Sequence, residues 1–228
     1  MGTPRVWIFD LDNTLHNASL SSFPGIDARM TDYIERELQM PGHEANALRA
    51  HYLRRYGATL LGLVRHHGIR ASHFLHHTHL LPGLEDRVHS HPHDLAALRQ
   101  LKGRKFILTN APRAYTERVL GVLGIARWFD GVIAIEDMHM FGQLRPKPDA
   151  RMLRRLVAQL RVPATRCVLI EDTLVHQKSA RSVGMQTVWM QRWMRLATPV
   201  HVPGSAVRQS LRPAYVDRRV RRLGDLLR

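Results

Sequence analysis

The stretch Arg5-Val6-Trp7-Ile8-Phe9-Asp10-Leu11-Asp12-Asn13-Thr14-Leu15 couples a short apolar run to two carboxylates two positions apart. Arg5–Phe9 is too short for a stable helix and shows no polar alternation, so it predicts a strand buried on both faces. Asp10 and Asp12 then fall at its carboxyl end. Similar short apolar runs recur at Lys105–Thr109, Gly131–Ile135, Arg166–Ile170 and Gln186–Met190. Between them lie stretches with helical spacing: Asp94–Leu101, Pro112–Leu123, Asp149–Leu160 and Leu174–Val183. Pro112 falls in a first turn, where its missing N–H costs nothing, and Gly184 closes the last of these helices. Strands that alternate with helices imply a parallel sheet with helices on both faces.

Residues 16–90 read differently. Ile26, Met30, Tyr33, Ile34 and Leu38 recur at three- and four-residue steps, predicting a helix over Ile26–Gln39 that stops at Pro41-Gly42. Glu44–Tyr56 and Ala58–His67 read as further helices parted by Gly57, and Ser72 is placed to cap a fourth through Leu80. The expectation is an α/β chain with a Rossmann-like core over 1–15 and 91–190, an all-α insertion over 16–90, and a basic C-terminal extension over 191–228. Within the extension, Tyr215–Leu227 is read as a short basic helix.

The chain has 228 residues, with 34 Lys+Arg against 19 Asp+Glu and a formal charge of +15. Such a balance raises the prospect of a nucleic-acid binder. The excess is not one patch, however. The helical insertion is close to neutral, whereas 191–228 carries 9 Arg against 2 acids. The tail holds few aromatics, which gives little support to stacking on single strands. A solvated basic segment is the plainer reading, and nucleic acid is an unfavoured partner. No apolar run approaches the ~20 residues of a membrane span, and no signal-peptide pattern precedes Asp10. Cys167 is the only cysteine, which leaves no internal disulfide framework and no Cys-rich zinc site. The expectation is a cytoplasmic protein with no membrane partner; oligomeric state is not legible.

In an open parallel sheet, ligands bind beyond the carboxyl ends of the strands. Those ends carry Asp10, Asp12 and Thr14, then Thr109 and Asn110, then Glu171 and Asp172, while Lys147 precedes a helix in Arg145-Pro146-Lys147-Pro148-Asp149. Several carboxylates gathered in one place repel one another unless a cation offsets them. Hard oxygen donors without His or Cys favour Mg²⁺. A hydroxyl with nearby backbone N–H groups suits phosphate oxygens, and a Lys adds a point charge. Two carboxylates two residues apart can divide the work of nucleophile and general acid/base.

This set, Asp-x-Asp-x-Thr after a strand, a strand-end Thr-Asn, a Lys-Pro and a strand-end acidic pair, resembles in order the four motifs of the haloacid dehalogenase (HAD) superfamily over about residues 5–190. Trp7–Leu15 and Leu108–Ala111 are most similar to the pyrimidine 5′-nucleotidase branch. The resemblance implies a Mg²⁺-dependent phosphatase acting on a small phosphorylated metabolite, a nucleoside 5′-monophosphate. Asp10 would attack phosphorus, and Asp12 would protonate the leaving oxygen and then activate water. Thr109, the Asn110 backbone and Lys147 would hold the phosphoryl group. Asp10, the Asp12 carbonyl and Asp172 would bind Mg²⁺, with Glu171 ordering a metal-bound water. It also implies that the helical insertion is a cap that closes over the strand ends.

An acid at position 12 favours ester hydrolysis over dehalogenation, because an alkoxide leaves poorly unless protonated whereas a halide needs no proton. Glu171-Asp172 departs from the Asp-Asp usual in the nucleotidase branch. His176 stands where many relatives have Asn. Two other readings share the core motifs or the charge: a sugar-phosphate or phosphoglycolate phosphatase or a phosphomutase, and a non-catalytic nucleic-acid-binding protein on a retired core. A scaffold role for the basic tail is a weaker third. Twelve of the 15 histidines lie between residues 16 and 100. Solvated helix ends and a connector explain them more simply than a second metal site or a pH-responsive cap. Ser179 and Thr173 read as helix-terminal hydrogen bonders, and Cys167 as a buried small side chain.

Overall fold

In the computed structural model, residues 5–193 and 212–227 are described. The chain divides into two compact units, one of residues 1–19 with 88–228 and one of residues 20–87.

The first unit is built on a sheet of strands β1 (Val6–Phe9), β2 (Arg104–Leu108), β3 (Gly131–Ile133), β6 (Cys167–Glu171), β7 (Gln186–Met190) and β8 (Arg218–Val220). Their order is β3-β2-β1-β6-β7-β8, and every pairing is parallel. β1 is central, and all four of its side chains are buried. Helices α6 (Pro92–Gln100), α7 (Arg113–Leu123), α8 (Ala150–Leu160) and α9 (Leu174–Ser182) link the strands. On one face Val6, Ile8, Phe106, Leu108 and Leu169 pack with Met152, Leu153, Leu156 and Leu160 of α8. Those α8 positions recur at one-, three- and four-residue steps, so one apolar stripe meets the sheet. On β1's other face, Phe9 meets Phe129 edge to face at 5.9 Å between ring centres. Two-residue strands β4 (His139–Met140) and β5 (Gln143–Leu144) form a small hairpin.

The second unit is helical. It comprises α2 (Phe23–Leu38), α3 (Gly42–Tyr56), α4 (Thr59–His67) and α5 (Ala71–His79); a short α1 (Ala18–Ser21) precedes α2 in the chain. Pro24 sits in the first turn of α2, while Gly57 and Gly68 end α3 and α4 with φ of 80° and 64°. α3 and α4 approach so closely that a Cβ on Gly62 would lie 2.1 Å from the Tyr52 ring. Ser72 does not cap α5. Arg70, extended at φ −71° and ψ 121°, takes the N-cap position, and Ser72 lies inside the first turn.

The third expected strand is shorter than read, because Ile135–Asp137 turns into a 3-10 helix after Ile133. The larger correction is at the C-terminus. Tyr215–Leu227 is not a helix: it supplies strand β8 and a 3-10 turn at Leu223–Leu227. Val216, Val220, Leu223 and Leu226 are buried at three- and four-residue steps, which mimics a helix in sequence. The open edge of β7 decides otherwise, since Val188, Trp189 and Met190 pair with Arg218, Arg219 and Val220. Asp217 reinforces that edge, accepting the Thr187 N–H at 2.9 Å and pairing with Arg181. The described part of the basic extension therefore belongs to the sheet-bearing unit; residues 194–211 of it lie outside the described residues.

Candidate active site

The register of the sheet gathers the acidic residues. Phe9 pairs with Ile170, and the Asp10 N–H donates to the Ile170 carbonyl at 2.9 Å, so Asp10 comes level with Glu171. Phe9 also pairs with Ile107, which places Thr109 just beyond the same edge. Beyond β1 the chain turns at Asn13, whose φ of 56° lies in the left-handed region that Asn tolerates better than most residues. Its side chain holds the turn: Nδ2 donates to Ser19 Oγ at 2.8 Å, and Oδ1 accepts the Ser19 N–H at 2.9 Å.

Lys147 arrives from the loop before α8 and is 2% exposed. Its Nζ lies 2.6 Å from Asp10 Oδ1 and 2.7 Å from Glu171 Oε2. Asn110 holds the loop in place from both sides, donating Nδ2 to the Lys147 carbonyl and accepting the Lys147 N–H, each at 2.9 Å. Ser179 adds a bond to the Pro148 carbonyl, which agrees with its reading as a hydrogen bonder. At the loop's end Asp149 caps α8 by accepting the Arg151 N–H at 2.8 Å, and Arg145 pairs with it at 3.1 Å. Burial alone would raise the Asp149 pKa, but bonds from Arg151 and Arg145 hold it down at about 2. A depressed carboxylate contributes stability above its ordinary range near 4, and that contribution is lost as pH falls toward 2. Asp149→Ala is therefore expected to cost about 1 kcal/mol at neutral pH and progressively less below pH 4. Urea unfolding at both pH values checks this.

The remaining acids are fixed by distinct partners. Glu171 Oε1 accepts the Thr173 N–H at 3.1 Å, and Oε2 lies 3.1 Å from His176 Nδ1. His176 thus takes part in the site as a neighbour of Glu171. Asp172 accepts the Thr173 hydroxyl at 3.1 Å, and its carbonyl accepts Trp189 Nε1–H at 2.8 Å. Thr109 is buried, and its Oγ1 accepts the Ala111 N–H at 3.0 Å. Asp12 is legible in the sequence, but His16 and Tyr115, which hold it, are not. His16 Nε2 lies 2.9 Å from Asp12 Oδ1, and the Tyr115 hydroxyl donates to the same oxygen at 2.7 Å. His16 could have been suspected from its four-residue spacing to Asp12. Tyr115 lies 103 residues away in sequence, and only the fold brings it in.

The electrostatics follow from this crowding. Burial, then the Glu171 charge, pushes Asp10 well above the usual carboxylate range, with Lys147 opposing. Asp172 is raised by burial and by the charges of Glu171 and Asp10. Burial would also raise Glu171, but Lys147 and His176 outweigh it and hold Glu171 well below the ordinary value. Burial would lower the Lys147 pKa; the carboxylates of Asp10 and Glu171 reverse this and raise it. One lysine does not balance three clustered carboxylates, two of them buried. Oxygens of Asp10, Glu171 and Asp172 lie within 4.8 Å of one another, a donor set that fits a hard divalent cation. The arrangement can bind such a cation, present a carboxylate to an electrophile and offer Lys147 to an anion.

The sequence model of haloacid dehalogenase-like hydrolases matches residues 4–184, and the chain belongs to this family. Phosphate metabolism protein 8 of Saccharomyces cerevisiae is 26% identical over 194 residues, 79% of this chain and 60% of that protein. A plasmid-borne phosphoglycolate phosphatase of Cupriavidus necator is 32% identical over 91 residues, 40% of this chain and 37% of that protein. The chain thus spans less than two thirds of the length of either relative. Among solved structures, a HAD phosphatase from Thermococcus onnurineus superposes with a TM-score of 0.62 at 20% identity, covering 97% of this chain and 95% of that one. This last likeness concerns the fold.

Proposed function

We propose that the protein is a Mg²⁺-dependent phosphatase that hydrolyses a small phosphate monoester through an aspartyl-phosphate on Asp10. The observation that carries this reading is that Asp10 lies 2.6 Å from Lys147 Nζ and within 4.8 Å of carboxylate oxygens of Glu171 and Asp172. A nucleophilic carboxylate must approach an anionic phosphoryl group, and both need positive charge nearby. Asp10, Asp172 and the Asp12 carbonyl would hold Mg²⁺, which neutralises charge on the phosphoryl oxygens when bound. Lys147 supplies fixed positive charge beside the nucleophile. Thr109 and the Asn110 N–H bind the transferring group.

Asp12 serves as acid and then base, and Tyr115 and His16 fix its orientation. Phosphoryl transfer depends mainly on such positioning. Tyr115→Phe removes one hydrogen bond to the Asp12 carboxylate and keeps the ring. It is expected to lower kcat about tenfold with KM and thermal stability little changed. Steady-state kinetics beside a melting curve separates this from a structural role, in which stability would fall and kcat would not.

The preferred substrate class is a nucleoside 5′-monophosphate, on the resemblance of Trp7–Leu15 and Leu108–Ala111 to the pyrimidine nucleotidase branch. A second reading is a phosphoglycolate-like or sugar-phosphate ester, favoured by the Cupriavidus necator relative. The helical unit is assigned the selection between leaving groups. Phosphate release from a panel of pyrimidine and purine nucleotides, phosphoglycolate and sugar phosphates, with Mg²⁺ and with chelator, decides between the two. Turnover of nucleotides above all others supports the first, and preference for phosphoglycolate the second. No metal-dependent turnover on any ester overturns the phosphatase reading. Among the described residues, no helix is long and apolar enough to cross a membrane.

A further inference from the structure

The catalytic reading leaves a charged cavity of the sheet-bearing unit unused. β7 and β8 end at the same edge of the sheet as β1 and β6. Beyond them opens a cavity of about 560 Å³ lined by Gln191, Arg192, Arg219, Arg221, Arg222 and Asp225. Four arginines thus line it with one acid, Asp225, and Asp94 pairs with one of the four, Arg192. Asp225 is already engaged: its Oδ2 accepts the N–H groups of Arg221 and Arg222 at 3.3 and 3.2 Å.

Arg192 anchors the wall. Its side chain is 17% exposed, and its Nε pairs with Asp94 on α6. Asp94 in turn accepts the Leu223 N–H at 2.7 Å, which ties the wall of the cavity to the core. The acceptor that best matches the guanidinium groups at the rim is an anionic oxygen. Arg221 is exposed, and among the described residues its guanidinium has no ion-pair partner. Planar guanidinium forks match the oxygens of phosphate in geometry as well as charge. Arg221 and Arg222, adjacent in sequence and both exposed, suit a ligand with more than one phosphoryl group.

We propose that this cavity is a second anion site, built for a compact chain of phosphoryl groups and separate from the carboxylate cluster. β8 stands three strand positions from β1, about 14 Å across the sheet. A ligand seated on Arg221 and Arg222 beyond β8 is therefore distinct from the group that Asp10 attacks. Such a site reads the level of a polyphosphorylated metabolite, or of inorganic pyrophosphate, independently of turnover.

The test is titration calorimetry with inorganic pyrophosphate at about 0.15 M salt, with chelator present so that no metal draws the ligand to the carboxylates. The expected result is one saturable site, retained in Asp10→Asn and weakened about tenfold or more in Arg221→Gln/Arg222→Gln. Both substituted side chains are exposed. Should the double variant unfold, Arg221→Gln alone is expected to weaken binding about threefold or more. ADP in a parallel titration distinguishes the source: binding at least as tight as pyrophosphate marks a nucleotide's phosphate chain, weaker binding marks the free ion, and both uphold the site. Absence of saturable binding overturns the proposal. So does equal affinity in the arginine variants, loss of binding in Asp10→Asn, or tighter binding of a single-stranded oligonucleotide with a steep salt dependence. None of these results depends on the phosphatase reading.

Discussion

Asp10→Asn is expected to lower phosphate release by on the order of 10⁴-fold or more while leaving the protein folded. The amide keeps the shape of the carboxylate and cannot form the acyl phosphate. Stability should not fall. Burial and the Glu171 charge already push the Asp10 carboxyl toward its neutral form, so the neutral amide relieves a repulsion. Lys147 keeps its second partner, Glu171 Oε2, at 2.7 Å. Turnover assays beside thermal melts check both halves. A variant that retains wild-type turnover would remove Asp10 from the reaction, and one that unfolds would make it structural.

Lys147→Met is expected to have the largest effect on stability. The substitution roughly preserves the buried stem and removes the one charge that touches both Asp10 and Glu171. Breaking a buried pair by deleting one partner typically costs about 3–5 kcal/mol, because the other partner stays buried without compensation. The pH dependence has a definite sign. With Lys147 present, Glu171 is held below its ordinary range, so the pair contributes fully above that range. Without Lys147, Glu171 takes up a proton at higher pH, and the deficit relative to wild type shrinks as pH falls. Denaturant unfolding at pH 7 and pH 5 should show the larger loss at pH 7. Activity should fall about 10²- to 10³-fold or more in the fraction that folds, since fixed positive charge at the reacting group is lost. Equal stability of variant and wild type at both pH values would contradict this account of the buried network.

Much of the architecture was legible because the strands are short, apolar and punctuated. Val6–Phe9 and Cys167–Glu171 are buried on both faces, and a parallel sheet produces that signal in sequence. Parallel register then brings strand-end residues together, so Asp10, Thr109, Glu171 and Asp172 could be grouped before any distance was known. Partners that depend on packing were less accessible. Tyr115 reaches Asp12 from α7, and no local pattern distinguishes it from a core tyrosine. His176 gains a role only through the fold, which sets its ring 3.1 Å from Glu171. The C-terminal strand failed for a different reason. Its buried positions have helical spacing, and the pairing of Arg218–Val220 with β7 is a long-range gain that overrides the local pattern. The same correction changes the reading of the charge. Arg219, Arg221 and Arg222 are set by β8 and its turn around a defined cavity rather than along a solvated helix.

The central claim is that Asp10 carries the phosphoryl group, and acid quenching during turnover of a ³²P-labelled substrate with Mg²⁺ tests it most directly. The account predicts protein-bound label that forms and decays at a rate consistent with turnover, that is released by mild base, and that maps to the peptide containing Asp10. It also predicts no label and no turnover in Asp10→Asn. Label on another residue, or turnover by Asp10→Asn at the wild-type rate, would contradict it.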